Sequence, residues 1–401
     1  MRSVELEARI RSGPLGPKTA AVFDVDGTLT DGPPPDMADL VHEAWWLVKA
    51  HQRAGHLVVI ASAAAESDVA PLARELGVEH VVGGRGGQKL EAVRELLAGH
   101  GVEFADTHVY SHDAEDVPLL AAAGYPHPVN PPAEFAAVAD ERGWPALRLR
   151  TTKPDPFDPR PALRTVGMFG SLFGAAGLGM ISGVLNGDRR QGVDLTTTIF
   201  DAVAGPLSGV RIEVVGQEHA WAQRPAVFFI NHQSAMVDFL VTARILRSGY
   251  TAVAKAEVKS MPVVGPLFDL AGVAFLQRAD RARAIEALRP AVQTLQAGTS
   301  VIMAPEGTRS SSPKLGRFKK GGFHLAMQAG VPIVPIVIRN AGEIMWRDAK
   351  TIRSGTIQVA VLPPVSTEGW RVEDLDDKVA EMVESYTDTL ENWPVGPSAA
   401  R

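Results

Sequence analysis

The sequence of 401 residues contains no cysteine, and only 6% of its residues are aromatic. The absence of cysteine excludes disulfide bonds and thiol catalysis, and it suits a reducing compartment. The N-terminal stretch "MRSVELEARI" lacks the apolar core of a signal peptide, so nothing in it indicates export. Because one domain typically has about 150 residues, we expect this chain to form two.

Positive charge is scarce in the first part of the chain. Residues 1–150 contain 13 Lys+Arg and 22 Asp+Glu, whereas the remainder contains 27 and 24. The first part is therefore acidic and the second part mildly basic. An acidic domain binds nucleic acid poorly, whereas the second part suits anionic lipids or phosphorylated ligands. We expect no nucleic-acid partner.

Long apolar runs are also rare, and one segment stands out. The proline-rich stretch Thr151–Thr165 lacks apolar periodicity, which is typical of a linker. It precedes Val166–Leu185, which is uncharged and about as long as a membrane-spanning helix requires. Two pairs of glycines in this segment are four residues apart: Gly170/Gly174 and Gly179/Gly183. That spacing lets helices approach closely in lipid, so we expect residues 166–200 to hold the protein on the cytoplasmic side of the cell membrane, peripherally or by one span. The alternative is a buried helical hairpin within a soluble fold.

Strands and helices alternate in residues 1–150. The predicted elements are strand "AAVFDV", helix Met37–Arg53, strand "HLVVIAS", helix Ser67–Leu76, strand "VEHVVGG", a helix after Lys89, and strand "THVYS". This alternation predicts an α/β domain with a doubly wound parallel sheet. Ligands of such sheets lie at the carboxyl ends of the strands, where the polar residues of this domain gather.

Those polar residues suit the hydrolysis of a phosphate ester. One carboxylate, Asp24, would attack phosphorus, and a second, Asp26, would protonate the leaving oxygen. Lys89 with Mg²⁺ would neutralise the negative charge, and Ser62 would hydrogen-bond the phosphoryl group. Further acids follow in "YSHDAEDVPLL".

Four features occur in order along residues 18–135: "DVDGTLT", a strand-end serine, a downstream lysine and a late acidic motif. With these features the segment resembles the phosphoserine-phosphatase-like branch of the haloacid dehalogenase superfamily. Where that branch has "YSDS", this chain has "YSHD", so His112 stands at the usual metal-ligand position. Because Mg²⁺ prefers oxygen ligands, we expect Asp113 or Asp116 to join Asp24 and Asp26 at the metal. About one helix separates Asp24 from Ser62, which leaves no room for a cap domain.

The α/β pattern resumes after the glycine-rich segment. The predicted strands are "RIEVVG", "AVFFIN", "TAVA", "VAFLQR", "SVIMA" and "VPIVPIVI", and one helix has an apolar face formed by Ile285, Leu288, Val292 and Leu295. Polar motifs follow these strands: "NHQSAMVD" (Asn231–Asp238), Arg278, "PEGTRS" (Pro305–Ser310) and "FKKG" (Phe318–Gly321).

The polar motifs of the second domain suit acyl transfer. A histidine held by a carboxylate, here His232 with Asp238, is a general base for an alcohol that attacks a thioester. The guanidinium groups of Arg278 and Arg309 match the oxygens of a phosphate on the acceptor. Glu306 would orient the glycerol hydroxyls or those arginines.

Over residues 205–365, "NHQS...D", "GVAFLQR", "PEGTRS" and "VPIVPIVI" resemble the four sequence blocks of the glycerolipid acyltransferase family, whose members include the 1-acylglycerol-3-phosphate acyltransferases. The resemblance implies a membrane-bound enzyme with an acyl-CoA or acyl carrier protein donor and a lysophosphatidic acid acceptor. It implies catalytic roles for His232 and Asp238. It also implies that the following residues bind the acceptor: Arg278, Glu306, Gly307, Thr308 and Arg309.

The spacing in "NHQSAMVD" departs from that family, which places four residues between the histidine and the aspartate. Here there are five, Gln233–Val237. On a helix, one extra residue rotates Asp238 by about 100° and moves it about 1.5 Å. There are two alternatives: either a bulge at Ala235–Val237 absorbs this residue, or Asp238 cannot orient His232 and acyl transfer is slow or altered.

The domain organisation that we expect is a phosphatase-like domain at 1–150, a linker at 151–165, a membrane-associated segment at 166–200 and an acyltransferase domain at 201–401. Two alternatives remain open. In one, the phosphatase is the main activity and the second domain mainly binds lipid. In the other, both domains have lost catalysis and only bind anionic lipids.

Overall fold

The computed structural model divides the chain into two compact units, Met1–Asp155 and Pro156–Arg401. It describes residues 3–32, 40–84, 87–150, 158–255, 288–310, 312–346 and 349–394, with short pieces at 259–260, 265 and 273–276. Arg278 and Ile285 lie outside the described residues.

The first unit is built on a parallel sheet. Its elements are α1 (Ser3–Ser12), β1 (Ala20–Asp24), α2 (His42–Arg53), β2 (Leu57–Ser62), α3 (Glu66–Leu76), β3 (His80–Gly83), α4 (Gly87–Gly99), β4 (Thr107–Ser111), α5 (Val117–Ala122), β5 (Tyr125–Pro128) and α6 (Ala133–Glu141). The strand order is β3-β2-β1-β4-β5, and every pair is parallel. The predicted doubly wound fold is confirmed. The predicted helix from Met37 begins later, at His42, because Leu40 forms a β-bridge with Thr30 and Val41 is the extended N-cap.

The two faces of this sheet have different chemistry, because alternate residues of a strand point to opposite faces. One face is aliphatic, with Val22, Val59 and Val109 in a buried cluster. On the other face the register pairs Phe23 with Tyr110, and the two rings stack with centroids 4.4 Å apart. The second face is therefore aromatic.

The aromatic face contains a directed chain of hydrogen bonds. His56 Nε2 lies 2.8 Å from the carbonyl oxygen of Pro14, which only accepts, so this nitrogen carries the proton. The neutral His56 ring then accepts at Nδ1 from His51 Nδ1 (2.8 Å), and His51 Nε2 accepts from the hydroxyl of Tyr110 (2.8 Å). His108 and His127 stack beside this chain, 3.1 Å apart between Nδ1 and Nε2. The chain is complete only while His51 and His56 are neutral.

The second unit begins with a helical hairpin, α7 (Arg160–Asn186) and α8 (Arg189–Ser208). In the described part of the chain, α7 alone is long and apolar enough to cross a membrane. Gly179 and Gly183 face Gly192 of α8 so closely that a Cβ on Gly179 would clash with the Gly192 carbonyl and with Thr196. A Cβ on Gly170 or Gly174 would meet nothing within 4 Å, so only the second glycine pair packs against a helix.

The rest of the second unit surrounds a mostly parallel sheet. Its elements are β6 (Val210–Val215), α9 (His219–Ala222), β7 (Val227–Ile230), α10 (Ala235–Leu246), β8 (Tyr250–Lys255), β9 (Ala274–Leu276), α11 (Arg289–Gln296), β10 (Ser300–Met303), α12 (Gly321–Ala329), β11 (Ile333–Ile338), α13 (Ala341–Ile344), β12 (Gly355–Val361) and α14 (Leu375–Glu391). The strand order is β6-β12-β11-β7-β10-β8-β9, and β11 pairs with β12 antiparallel. All six predicted strands are present, whereas β12 was not predicted. Because β7 and β10 are parallel neighbours, the residues that follow them meet at one edge.

Candidate active sites

The loop after β7 is fixed to its surroundings by two amides. The strand itself is fully buried, and the Asn231 side chain at its end bonds both to the N–H of Ile338 (2.7 Å) and to the carbonyl of Ile338 (2.8 Å). Gln233 Oε1 accepts from the N–H of Gly342 at 3.1 Å. The sequence predicted no role for either amide. Their position on both sides of His232 is the one feature of the sequence that could have indicated it. They hold the histidine's loop against β11 and α13.

His232 and Asp238 form the predicted pair. Nδ1 of His232 lies 2.6 Å from Oδ2 of Asp238. Burial is the largest influence on Asp238 and raises the pKa of its carboxyl, while the hydrogen bond from His232 lowers it in part. With Nδ1 donating to a carboxylate, Nε2 carries the lone pair that a general base needs.

The extra residue before Asp238 is not absorbed by a bulge, and Asp238 nevertheless contacts His232, so neither of the two alternatives holds. Helix α10 is regular from Ala235, and the N–H of Asp238 donates to the carbonyl of Ser234 at 2.8 Å as part of its first turn. The loop from His232 to Ser234 instead brings the imidazole to the first turn of the helix. The contact therefore forms with five intervening residues.

Glu306 is almost fully buried, and both of its oxygens accept main-chain N–H groups. Oε1 accepts from His232 (2.7 Å) and Oε2 from Gly316 (2.8 Å). Burial, the largest influence, raises the pKa of Glu306, and these two hydrogen bonds oppose it. The N–H of Ser310 donates to the carbonyl of His232 at 2.7 Å. Glu306 thus holds the backbone of His232, whereas the sequence predicted contact with glycerol hydroxyls or arginines.

The turn after Glu306 places the other predicted acceptor-binding residues. Gly307 has φ +68°, a left-handed conformation that favours glycine. Thr308 is exposed and Arg309 is half-buried. The charge of Arg309 lowers the pKa of Asp238, as the last of several influences. The structure brings these residues together with His232, whereas Arg278 lies outside the described residues.

A second polar cluster lies at the carboxyl ends of the strands in the first unit. Lys89 Nζ contacts Asp24 Oδ1 (2.9 Å) and Asp116 Oδ2 (2.8 Å), and all three side chains are buried. Ser111 Oγ also donates to Asp116 Oδ2, at 2.7 Å, a contact that the sequence did not predict. Burial raises the pKa of Asp24 to about 7, and the adjacent Lys89 limits the rise.

The other residues predicted for this cluster have distinct surroundings. Ser62 is buried and its Oγ accepts from the N–H of Ala64 at 3.1 Å. Asp26 is half-buried, and its pKa is raised chiefly by burial. Asp113 is exposed and caps a helical turn by accepting from the N–H of Glu115 at 2.9 Å.

Some oxygens of this cluster are of the type that Mg²⁺ binds. Asp26 Oδ1 and Asp116 Oδ1 are buried without a hydrogen-bond partner, and carboxylate oxygens are ligands that Mg²⁺ prefers. His112 Nδ1 lies 3.1 Å from the carbonyl of Val129, so it donates there. Within the described ranges, no three His, Cys, Asp or Glu side chains come close enough together to hold a metal. The two unpaired carboxylate oxygens of Asp26 and Asp116 therefore suit Mg²⁺. Ligation by Asp24 and Asp113 stays a prediction.

Comparison with known proteins gives a family match within the second unit. The acyltransferase family model matches residues 211–339. The 1-acyl-sn-glycerol-3-phosphate acyltransferase of Saccharomyces cerevisiae is 31% identical over 242 residues, which are 59% of this chain and 79% of that protein. The crystal structure of a 1-acyl-sn-glycerophosphate acyltransferase from Thermotoga maritima has 24% identity and a TM-score of 0.48, over 58% of this chain and 97% of that one. A HAD-family hydrolase from Streptomyces avermitilis has 22% identity and a TM-score of 0.26, over 33% of this chain and 78% of that one.

Proposed function

Since the chain belongs to the 1-acyl-sn-glycerol-3-phosphate acyltransferase family, we propose that its second unit transfers an acyl group to lysophosphatidic acid. The donor is acyl-CoA or acyl carrier protein, and the product is phosphatidic acid for phospholipid synthesis. The observation that carries this proposal is the 2.6 Å contact between His232 Nδ1 and Asp238 Oδ2. It leaves Nε2 as the base in a loop whose backbone is held on several sides.

The reaction follows from that geometry. Nε2 of His232 takes the proton of the acceptor hydroxyl as its oxygen attacks the thioester carbonyl, and a C–O bond forms. When the C–S bond breaks, the imidazolium returns the proton to the departing thiolate. Asp238 stabilises the imidazolium between these two steps. The turn Gly307–Arg309, with Arg278, would bind the acceptor phosphate, since guanidinium groups match phosphate oxygens.

The experiment is an assay of the purified protein with labelled acyl-CoA, or acylated carrier protein, and lysophosphatidic acid. We expect labelled phosphatidic acid from the wild type and a loss in His232→Ala. The matched control is His219→Ala, a histidine of the same unit that lies between β6 and β7. Wild-type protein that forms no product with either donor would contradict the proposal and favour a lipid-binding role.

The first unit supports a second proposed activity, the hydrolysis of a phosphate ester. The buried Asp24–Lys89–Asp116 cluster lies where a parallel sheet binds its ligand, and Asp24 is the expected nucleophile. Lys89 would balance the charge of the phosphoryl group, and Ser62 would hydrogen-bond it. Bound Mg²⁺ would supply further positive charge, with Asp26 and Asp116 as the oxygen donors. A panel of phosphate esters with Mg²⁺ tests this activity separately, and the absence of phosphate release would leave the first unit without it.

We also propose that the α7–α8 hairpin holds the protein on the cytoplasmic side of the membrane. Large apolar side chains of α7 are exposed, among them Leu163 (67%), Val184 (77%) and Leu185 (79%). Exposing a contiguous apolar face to water is unfavourable, and lipid would cover it. Sedimentation with anionic vesicles checks this: wild-type protein should pellet, and a chain that begins near Asp201 should stay in the supernatant. If both stay soluble, the membrane role is wrong.

A further inference from the structure

Lys319 packs its side chain across the backbone of Gly307, in the turn that follows Glu306. A Cβ built on Gly307 would lie 2.8 Å from Nζ of Lys319 and 3.3 Å from its Cδ and Cε. The N–H of Lys319 donates to the carbonyl of Pro305 at 2.8 Å, which fixes the lysine beside the turn. The side chain is nevertheless exposed, so a ligand can reach the ammonium group.

Among the described residues, no carboxylate forms an ion pair with Lys319. Its neighbour Lys320 forms an ion pair with Asp376, with Nζ 2.7 Å from Oδ1. Glu306 is the acid next to the turn, but both of its oxygens accept main-chain N–H groups. An anionic ligand is therefore the natural counter-ion of Lys319.

A second cation lies on the same turn. Arg309 follows Gly307 by two residues, which separates their backbones by no more than about 7 Å. The charge of its guanidinium is one of the influences that lower the pKa of Asp238. The turn thus contains the cation of Arg309, and the ammonium group of Lys319 lies over its Gly307.

We propose that Lys319 recognises the second negative charge of a phosphomonoester acceptor and so selects that class over phosphodiesters. This inference rests on the acyl transfer proposed above. A phosphomonoester carries about −1.5 to −2 charges at pH 7, whereas a phosphodiester carries one. The planar guanidinium of Arg309 matches two oxygens, and the compact ammonium of Lys319 supplies the remaining charge. An acceptor with a phosphodiester head group gains less from this lysine.

The experiment compares wild type, Lys319→Met, Lys319→Arg and the matched control Lys320→Met in the full-length protein. We expect Lys319→Met to raise KM for lysophosphatidic acid about tenfold, with kcat and the KM for acyl-CoA little changed. Inorganic phosphate should compete with the acceptor, and its inhibition constant should rise by a similar factor. Lys319→Arg should restore most of both values, and Lys320→Met should resemble the wild type.

The outcomes separate this inference from the function on which it rests. An active Lys319→Met enzyme with an unchanged KM for lysophosphatidic acid overturns the role of Lys319 and leaves acyl transfer intact. Equal increases in Lys319→Met and Lys320→Met also overturn it, because they show a general effect of surface charge. A wild type that does not acylate lysophosphatidic acid overturns both proposals.

Discussion

Glu306 Oε1 accepts the backbone N–H of His232 at 2.7 Å, so a buried carboxylate positions the His232 loop from a neighbouring strand end. Glu306→Gln turns one acceptor into an NH₂ donor that must face a main-chain N–H. We expect kcat to fall about 10²-fold, since small misplacements of a base are costly, with KM for lysophosphatidic acid nearly unchanged. Stability should fall by about 1–3 kcal/mol. Steady-state kinetics and thermal unfolding check this, with exposed Glu384→Gln as control. A rise in KM alone would instead indicate direct contact with the acceptor.

His232→Ala should reduce acyl transfer by about 10²- to 10⁴-fold, the range for losing a general base. Because Asp238 reaches the imidazole despite the extra residue, Asp238→Asn should be nearly as damaging. Deleting Met236 should also abolish activity, since it rotates Asp238 by about 100° around α10. Single-turnover assays of the three variants test this. Higher activity in the deletion variant would mean that the observed pairing is not the active one.

Asp24→Asn should abolish phosphate release and leave acyl transfer intact, because a carboxylate nucleophile has no substitute among its neighbours. Since the pKa of Asp24 is raised to about 7, its ionised fraction grows as the pH rises through that value. Both activities are measured on the same preparation. Equal phosphate release by wild type and variant would point to another site.

The first unit should lose stability in mild acid because of its buried histidines. Burial is the main cause that lowers the pKa of His108 to about 4 and that of His127 to about 3, whereas an unfolded histidine titrates near about 6.5. Below about pH 6.5 the unfolded chain binds more protons than the folded chain. The free energy of unfolding therefore decreases as the pH is lowered, by up to about 1.4 kcal/mol per pH unit for each histidine. Hydrogen exchange in β1 and β4 between pH 7.5 and pH 5 measures this loss. The double variant His108→Phe/His127→Phe should depend less on pH, and an identical dependence would exclude these histidines as the cause.

Alanine substitutions at two glycines of α7 should change the stability of the protein in opposite directions. Gly179→Ala places a methyl group against Gly192 and Thr196 and should destabilise the hairpin by about 1–3 kcal/mol. Gly174→Ala meets nothing within 4 Å and should stabilise the helix by about 0.5–1 kcal/mol. Thermal unfolding in detergent compares them, and equal shifts would show that α7 and α8 do not pack as described.

Several of these features followed from the sequence, and others could not. The proximity of His232 to "PEGTRS" follows from apolar periodicity, because parallel strands bring their carboxyl ends to one edge. The His232–Asp238 contact depends on the path of a three-residue loop, which has no periodicity to interpret. The spacing of glycines in α7 likewise could not show that Gly179 faces α8 while Gly174 does not. Strand β12 was missed although "GTIQVAV" has strand-forming residues.

The backbone of His232 is held at both its N–H and its carbonyl, and its neighbours Asn231 and Gln233 are fastened to β11 and α13. The Gly307–Arg309 turn is joined to this loop through Glu306 and Ser310. The distance between the turn and Nε2 of His232 is therefore a fixed length of the protein. In lysophosphatidic acid, the proposed acceptor, a single glycerol hydroxyl is free. With its phosphate at the turn, this hydroxyl would lie at a set distance from Nε2, and breaking one of the backbone hydrogen bonds that fix that distance would slow acylation without changing which carbon is acylated.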